Sequence, residues 1–310
     1  MVINPDNLLA AFLAFDTRFQ QVFKSVMPWG EKIATTMPSN TKEGRTPWLK
    51  ALPTMREWLG PRVVNNLSTN IQSLVNKKFE LTFGITREDF EDDIIGVYGP
   101  AVEEMARQAA KWPDYQLAAA LQAGTSSLCH DGSNFFSATH KIDPDGVSTT
   151  DTQSNYTSSG MALTAAHYDA ARAERAQLKR EDNKPMGVGS TLLIVPPQLE
   201  FTAKQIVQAD LIVAAAGAKA ATGSQTNVYK GTADVLVIPE LANEATAWYL
   251  ADDKRAVKPL IWQLRQSPEF TYLNRPDDPN VFLMDEFLFG TRARGVAGYG
   301  PYYLISKYVA

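Results

Sequence analysis

The sequence predicts a mixed α/β (α+β) protein that is extended rather than round. Three observations carry that expectation. The segment from Thr86 to Gly124 reads as one long, broken helix. The segment from Lys32 to Phe83 contains a polar, proline-punctuated excursion holding Trp48 and Trp58. The second half alternates short apolar runs with helical ones and ends strand-rich, the pattern of a mixed α/β unit.

The long helix is argued from its caps and its period. Thr86 is placed to accept a bond from the N–H of Asp89, as in a capping box. Glu88, Asp89, Glu91, Asp92 and Asp93 crowd the first turns, where the helix dipole favours negative charge. Phe90, Ile94, Val97, Tyr98, Val102, Met105, Ala109 and Trp112 then recur at three- and four-residue steps. Gly99-Pro100 and Pro113 are expected to interrupt it, since proline removes a donor and clashes with the preceding turn. Even kinked, such a rod is on the order of 50 Å long.

Composition bounds the function. The chain has 310 residues, of which 45% are hydrophobic and 21% charged, normal for a folded domain or two. A formal charge of −4 gives no basic patch for gripping nucleic-acid phosphates. Cys129 stands alone, which leaves no intrachain disulfide and no cysteine metal cage and fits a reducing cytoplasm. No basic-then-apolar leader is expected before the first helix, and no run approaches the ~20 apolar residues of a membrane span. The sequons at Asn66 and Asn155 are read as chance.

The remaining elements follow in order. From Asn4 to Phe23, Pro5 opens a helix whose stripe includes Leu8, Leu9, Phe12, Leu13, Phe15, Phe19, Val22 and Phe23. The stripe suits either a helix docked on its own core or an arm on a neighbouring subunit. Residues 33–37 and 78–85 read as strands, the second with Phe79, Leu81, Phe83 and Ile85 on one face. The stretch between them reads as a hairpin-like excursion, and its tryptophans mark a contact surface. Ile142 to Ser159 is expected to be a surface loop. Thr164 to Asp182 is expected to be a helix with Arg172, Glu174, Arg175, Lys179, Arg180 and Glu181 on a solvated face. Thr191 to Val195 is a buried strand, Leu199 to Ala216 a helix, and Val235–Ile238 and Trp248–Leu250 further strands. Pro259–Leu264 and Glu269–Leu273 form a strand pair or one bent strand. Val281 to Gly300 opens apolar and then places Arg292 and Arg294 two apart, on one face at strand period. That pair either grips a neighbour's carboxylates or faces solvent on an edge strand.

No catalytic arrangement emerges. His130, Asp131 and His140 are the one tempting ligand set, but their spacing matches no zinc signature and Asp131-Gly132 is a turn dipeptide. Cys129 is expected to be a buried structural residue. No phosphate loop, nucleophile elbow or dinucleotide fingerprint is present, and no cofactor or metal is implied. The shape favours a self-assembling subunit over an enzyme. A hydrolase built on His130, Asp131 and His140 is the competing class, recognisable by bound metal and by loss of activity in His140→Ala.

Six stretches then carry a resemblance: KIATTMPSNTKEGRTPWLKALPTMREWLGPR (Lys32 to Arg62), NKKFELTFGITREDFEDDIIGVYGP (Asn76 to Pro100), LCHDGSNFFSATH (Leu128 to His140), TLLIVPP (Thr191 to Pro197), RAVKPLIWQLRQSPE (Arg255 to Glu269) and FLFGTRARGVAGYG (Phe287 to Gly300). In this order, over nearly the whole chain, the sequence resembles the major head subunits of Mu-like phages and prophages. Departures fall mainly in 142–159 and 217–227.

The resemblance implies the Hong Kong 97-type capsid fold. Its parts would be an N-terminal arm (1–31), an extended loop over an adjacent subunit (32–85), the spine helix of a peripheral domain (86–124), an axial domain (125–253) and return strands of the peripheral domain (254–310). It implies a homo-oligomer of hexamers and pentamers in an icosahedral shell around double-stranded DNA, assembled in the host cytoplasm. Scaffold and portal would be partners, a decoration protein a further one, DNA would be touched non-specifically, and no membrane would be involved. Phe12, Phe19, Trp48, Trp58, Arg292 and Arg294 are the expected inter-subunit contacts. The lysine–asparagine crosslink known in one lineage of the fold matches no position here. A cargo-enclosing nanocompartment shell of the same fold is the alternative within the class.

Overall fold

Two β-sheets share a core that threads between them. The computed structural model describes residues 5–41, 43–49, 69–92, 98–142, 151–180, 183–213, 224–275 and 278–310. In chain order the elements are α1 (Pro5–Ser25), α2 (Gly30–Ile33), β1 (Ala34–Pro38), β2 (Glu43–Leu49), β3 (Thr69–Val75), β4 (Lys77–Thr86), α3 (Arg87–Asp92) and α4 (Tyr98–Ala123). Then come β5 (His140–Lys141), β6 (Thr152–Gln153), β7 (Tyr156–Thr157), α5 (Ala165–Ala176), β8 (Leu192–Val195), α6 (Glu200–Val207), β9 (Leu211–Val213) and β10 (Ser224–Thr226). The chain closes with β11 (Asp234–Val237), a 3₁₀ turn (Pro239–Glu244), β12 (Ala247–Ala251), β13 (Leu260–Leu273), α7 (Pro279–Met284), β14 (Glu286–Tyr299) and β15 (Ile305–Val309).

The first sheet runs β1-β13-β14-β4. β1 is parallel to β13, and the other pairs are antiparallel. Along β14, Phe287, Phe289, Thr291 and Ala293 are buried, while Leu288, Gly290, Arg292 and Arg294 alternate on the opposite face. The buried face carries α1 and α4. Pro259–Leu264 and Glu269–Leu273 belong to one strand, β13, whose register shifts twice between Leu264 and Glu269.

The second sheet runs β11-β8-β12-β15-β7. β8 is buried at every position, as its TLLIV run predicts, and so is β12. Trp112, Leu117 and Leu121 of α4, with Phe135, Phe136, Tyr249, Trp262 and Tyr299, form the core joining the two sheets. α5 and α6 contribute Tyr168, Ala171, Ala203 and Ile206 to the core that includes Leu193 and Trp248.

α4 is 26 residues, or about 39 Å. Gly99 and Pro100 sit in its first turn, where proline's missing donor costs nothing; whether the expected rod is interrupted just before them falls on 93–97, outside the described residues. Pro113 lies inside the helix. Its cost of roughly 3 kcal/mol is offset by burial of Val102, Met105, Ala106, Ala109, Trp112, Leu117 and Leu121 on both sides of it. The N-terminal part of the expected rod is helical as α3, entered through Thr86, whose Oγ1 accepts the Asp89 N–H at 3.2 Å.

Other expectations are corrected. The helix expected over 199–216 stops at Val207, and the β-branched run that follows forms β9 against β10. Residues 281–284 are helical rather than extended. The helix expected over 164–182 ends at Ala176, with Thr164 as its cap accepting the His167 N–H. The loop expected over 142–159 includes Asn155, which is buried, so the sequon there lies in the interior. Asn66 lies outside the described residues. β1 and β4 pair into the first sheet, β2 and β3 pair with each other, and β15 pairs into the second sheet.

Candidate assembly surfaces

Phe12 and Phe19, expected between subunits, are fully buried within their own chain. Phe12 stacks on Phe90 (centroids 5.8 Å) and Tyr272 (5.1 Å) and lies 5.3 Å from Phe289. Phe19 stacks on Phe270 at 5.2 Å. In this arrangement the stripe of α1 docks on its own sheet. Leu13, part of the same sequence stripe, is more than half exposed.

Trp48 lies on β2, opposite Asn70 of β3. Trp58 lies outside the described residues. β2 and β3 pair only with each other among the described residues, from Glu43↔Val75 to Leu49↔Thr69. The root of this ribbon is anchored: the Gln263 amide donates to Leu74 O (3.2 Å) and Asn76 Oδ1 (2.9 Å). Asn76 in turn donates to Ser39 Oγ and Thr41 O.

Arg292 and Arg294 share a face, as their spacing predicts, but β14 is an interior strand, not an edge. Arg292 is in register with Glu80 on one side and Glu269 on the other; Arg294 faces Lys78 and Gln266. Arg294 Nε is buried without a protein partner. Nearby, Phe79, Leu81, Trp112, Tyr115, Pro268 and Ala293 line a groove of about 200 Å³. At the far end of the first sheet Phe282, Leu283 and Met284 stand exposed on α7. Sequence reasoning did not single these out, because an apolar run reads the same whether it turns inward or outward.

The His130–Asp131–His140 cluster comes together only in part. His140 Nδ1 meets Asp131 Oδ2 at 2.6 Å, and both side chains are buried. His140 Nε2 faces two oxygens, Phe135 O and Asn155 Oδ1, each at 3.2 Å. Both ring nitrogens are therefore engaged by oxygens of this chain, inside a fully buried cluster. Burial raises the Asp131 pKa, yet the His140 bond and charge and the Ser133 N–H outweigh it and hold the carboxyl below its usual value. His130 turns instead to Cys129, Nδ1 to Sγ 3.0 Å, and burial pushes it down. Burial, with the Asp131 charge, pushes the Cys129 thiol up to about 12, which leaves it inert. Among the described residues no group of three or more metal-ligating side chains converges.

Sequence reasoning missed three buried polar anchors. Asn155 donates to Phe135 O, Tyr302 O and Ile305 O and accepts the Ser137 N–H. Arg175, expected on a solvated face, is buried. It donates to Ser190 Oγ, Ser306 Oγ, Gly189 O and Leu304 O, and burial lowers its pKa to about 10. Its signal was positional, since it follows Tyr168 and Ala171 at helical spacing on the apolar stripe. Asp114, on the buried side of α4, holds the start of α2.

Among the described residues the cross-tied interior gathers no metal-ligating cluster, and the exposed apolar tip on α7 suits contact with another chain. Solved structures share this fold. The fold matches the bacteriophage JBD30 capsid (20% identity, TM-score 0.56, 99% of this chain and 73% of that one). It also matches a virus-like particle from Pyrococcus furiosus (9% identity, TM-score 0.54, 96% and 98%). The chain belongs to the Mu-like prophage major head subunit (gpT) family, whose model matches residues 8–162, 153–241 and 240–308. It is 29% identical over 300 residues to the major capsid protein of Escherichia phage Mu, covering 97% of this chain and 72% of that protein. The procapsid of bacteriophage JBD30 aligns at 28% identity and TM-score 0.62, over 99% of this chain and 76% of that one. The protein is thus a major capsid subunit of a multimeric phage shell, a structural protein rather than an enzyme.

Proposed function

We propose that this chain assembles into the pentamers and hexamers of an icosahedral phage head enclosing double-stranded DNA, with the β2–β3 ribbon reaching over an adjacent subunit. The observation that carries this is the isolation of the ribbon. A two-stranded hairpin alone is marginal in water, and β2 and β3 find no third strand among the described residues. A neighbouring copy would cover it, with Trp48 and Trp58 as contact residues. Arg292 and Arg294 would add charge contacts from the polar face of the first sheet. Phe12 and Phe19 would support assembly only indirectly, by fixing α1.

In this reading the first sheet with α1 and α4 forms the peripheral domain, and the second sheet forms the axial domain around five-fold and six-fold axes. Closed shells repeat self-complementary contacts by symmetry, and many modest contacts per subunit sum to large collective stability. Assembly would take place in the host cytoplasm with scaffold and portal, and a decoration protein would bind the finished shell. DNA would be touched non-specifically. The net charge of −4 suits a wall along which DNA slides.

Sedimentation of Trp48→Ala beside the parent chain tests the ribbon. Interface aromatics often carry much of the contact energy, so shell yield should fall about tenfold or more while the circular dichroism and melting of the subunit stay unchanged. Normal shells from this variant, or a subunit that no longer folds, would refute the assignment.

A further inference from the structure

Gln263 is a polar side chain at a buried, interior position of the first sheet, only 3% exposed. Along β13, Leu260, Trp262 and Leu264 turn to the core that includes α4, so Ile261 and Gln263 lie on the opposite face. The root of the β2–β3 ribbon packs there. The Gln263 amide donates to Leu74 O and to Asn76 Oδ1, at the end of β3. On the β2 side, a Cβ at Gly44 would lie 1.9 Å from Gln263 Oε1, so glycine is what lets that strand cross the amide. Leu74 is seated as closely over β14, where a Cβ at Gly298 would come within 2.6 Å of Leu74 Cδ1. Asn76 extends the joint to Ser39 Oγ and Thr41 O, between β1 and β2. Ser39, Leu74 and Asn76 are all buried.

A buried amide in an interior strand is costly unless its groups are paired. Here the pairing comes from the ribbon root, whereas an apolar side chain would fill the same position without the ribbon. We propose that Gln263 is a positioning residue for assembly: it fixes the direction in which the ribbon leaves the free subunit, so that the ribbon is set before a second copy arrives. This rests on the reading that the ribbon reaches over an adjacent subunit. The root is where small angles matter. From Gly44 and Leu74 to the paired ends Leu49 and Thr69 the ribbon runs five residues, about 17 Å, so a swing of about 20° at its root would carry that end by roughly 6 Å, past van der Waals contact. With the root clamped, the ordering of the ribbon belongs to folding and no longer opposes association.

The distance between two spin labels, on Thr69→Cys in the ribbon and Thr271→Cys in β13, tests it in the unassembled full chain. Thr271 is exposed, and the native Cys129 is buried and escapes labelling. The parent should give one narrow distance distribution. In Gln263→Ala, and in Gly44→Ala, whose Cβ displaces the amide, the distribution should broaden about twofold or more and the lowest concentration that yields shells should rise about tenfold. Hydrogen exchange over 192–195 and 247–251 should stay that of the parent. The double variant should be no worse than either single one, because both changes act through one amide. A distribution as narrow as the parent's in Gly44→Ala, shells from it at the parent's concentration, or lost protection at 192–195 would overturn the proposal. If Gln263→Ala does not fold, Gly44→Ala decides the matter. Trp48→Ala separates the two levels: shells lost in it but normal in Gly44→Ala refute the clamp alone, and shells normal in both refute the ribbon reading as well.

Discussion

The His140 ring lies flat on Tyr302, with centroids 3.7 Å apart and planes within 3° of parallel. With the Asp131 bond at one end and Asn155 at the other, this stack ties three loops of the chain together. His140→Ala should therefore act on stability. It removes a buried pair and a ring contact, for a loss of about 3 kcal/mol in urea unfolding. Zinc titration of the parent chain by calorimetry should show no stoichiometric binding.

Acid should reach the same cluster. The Asp131 carboxyl is held below its ordinary value of 3.8. Its stabilisation is therefore present above that value and is lost as pH falls through the depressed one. The acid-unfolding midpoint followed by tryptophan fluorescence should rise in Asp131→Asn, and an unchanged midpoint would mean the pair is not formed.

Arg175 binds α5 to the strand β15 through neutral oxygens alone. Arg175→Met should cost about 3 kcal/mol in chemical denaturation, because it removes the four hydrogen bonds that the buried guanidinium donates. Lysine should restore little, since a point charge cannot reproduce the guanidinium fork.

Phe12→Ala should lower the stability of the subunit by about 3–5 kcal/mol, read as a lower melting temperature before any assembly step. A variant that melts normally yet assembles poorly would return Phe12 to the interface.

Much of this was legible locally. The alternation of 78–85, the Thr86 cap and the TLLIV strand depend on neighbours in sequence, and the structure holds each of them. The Thr86–Gly124 rod was half legible, because proline's cost is local while the packing that offsets it at Pro113 is not. Membership of β15 in the second sheet was not legible, since its partners Ala247–Ala251 and Tyr156–Thr157 are far away in sequence. The burial of Phe12 and Phe19 was undecidable for a related reason: one apolar stripe serves its own sheet or a neighbour's equally well. Family membership was readable from six ordered motifs that no single period or spacing explains.

Electron microscopy of the expressed chain, alone and with its scaffold, tests the central claim most directly. Closed shells, or rings of five and six subunits, are the predicted result. A small particle that remains monomeric in both samples would contradict the account.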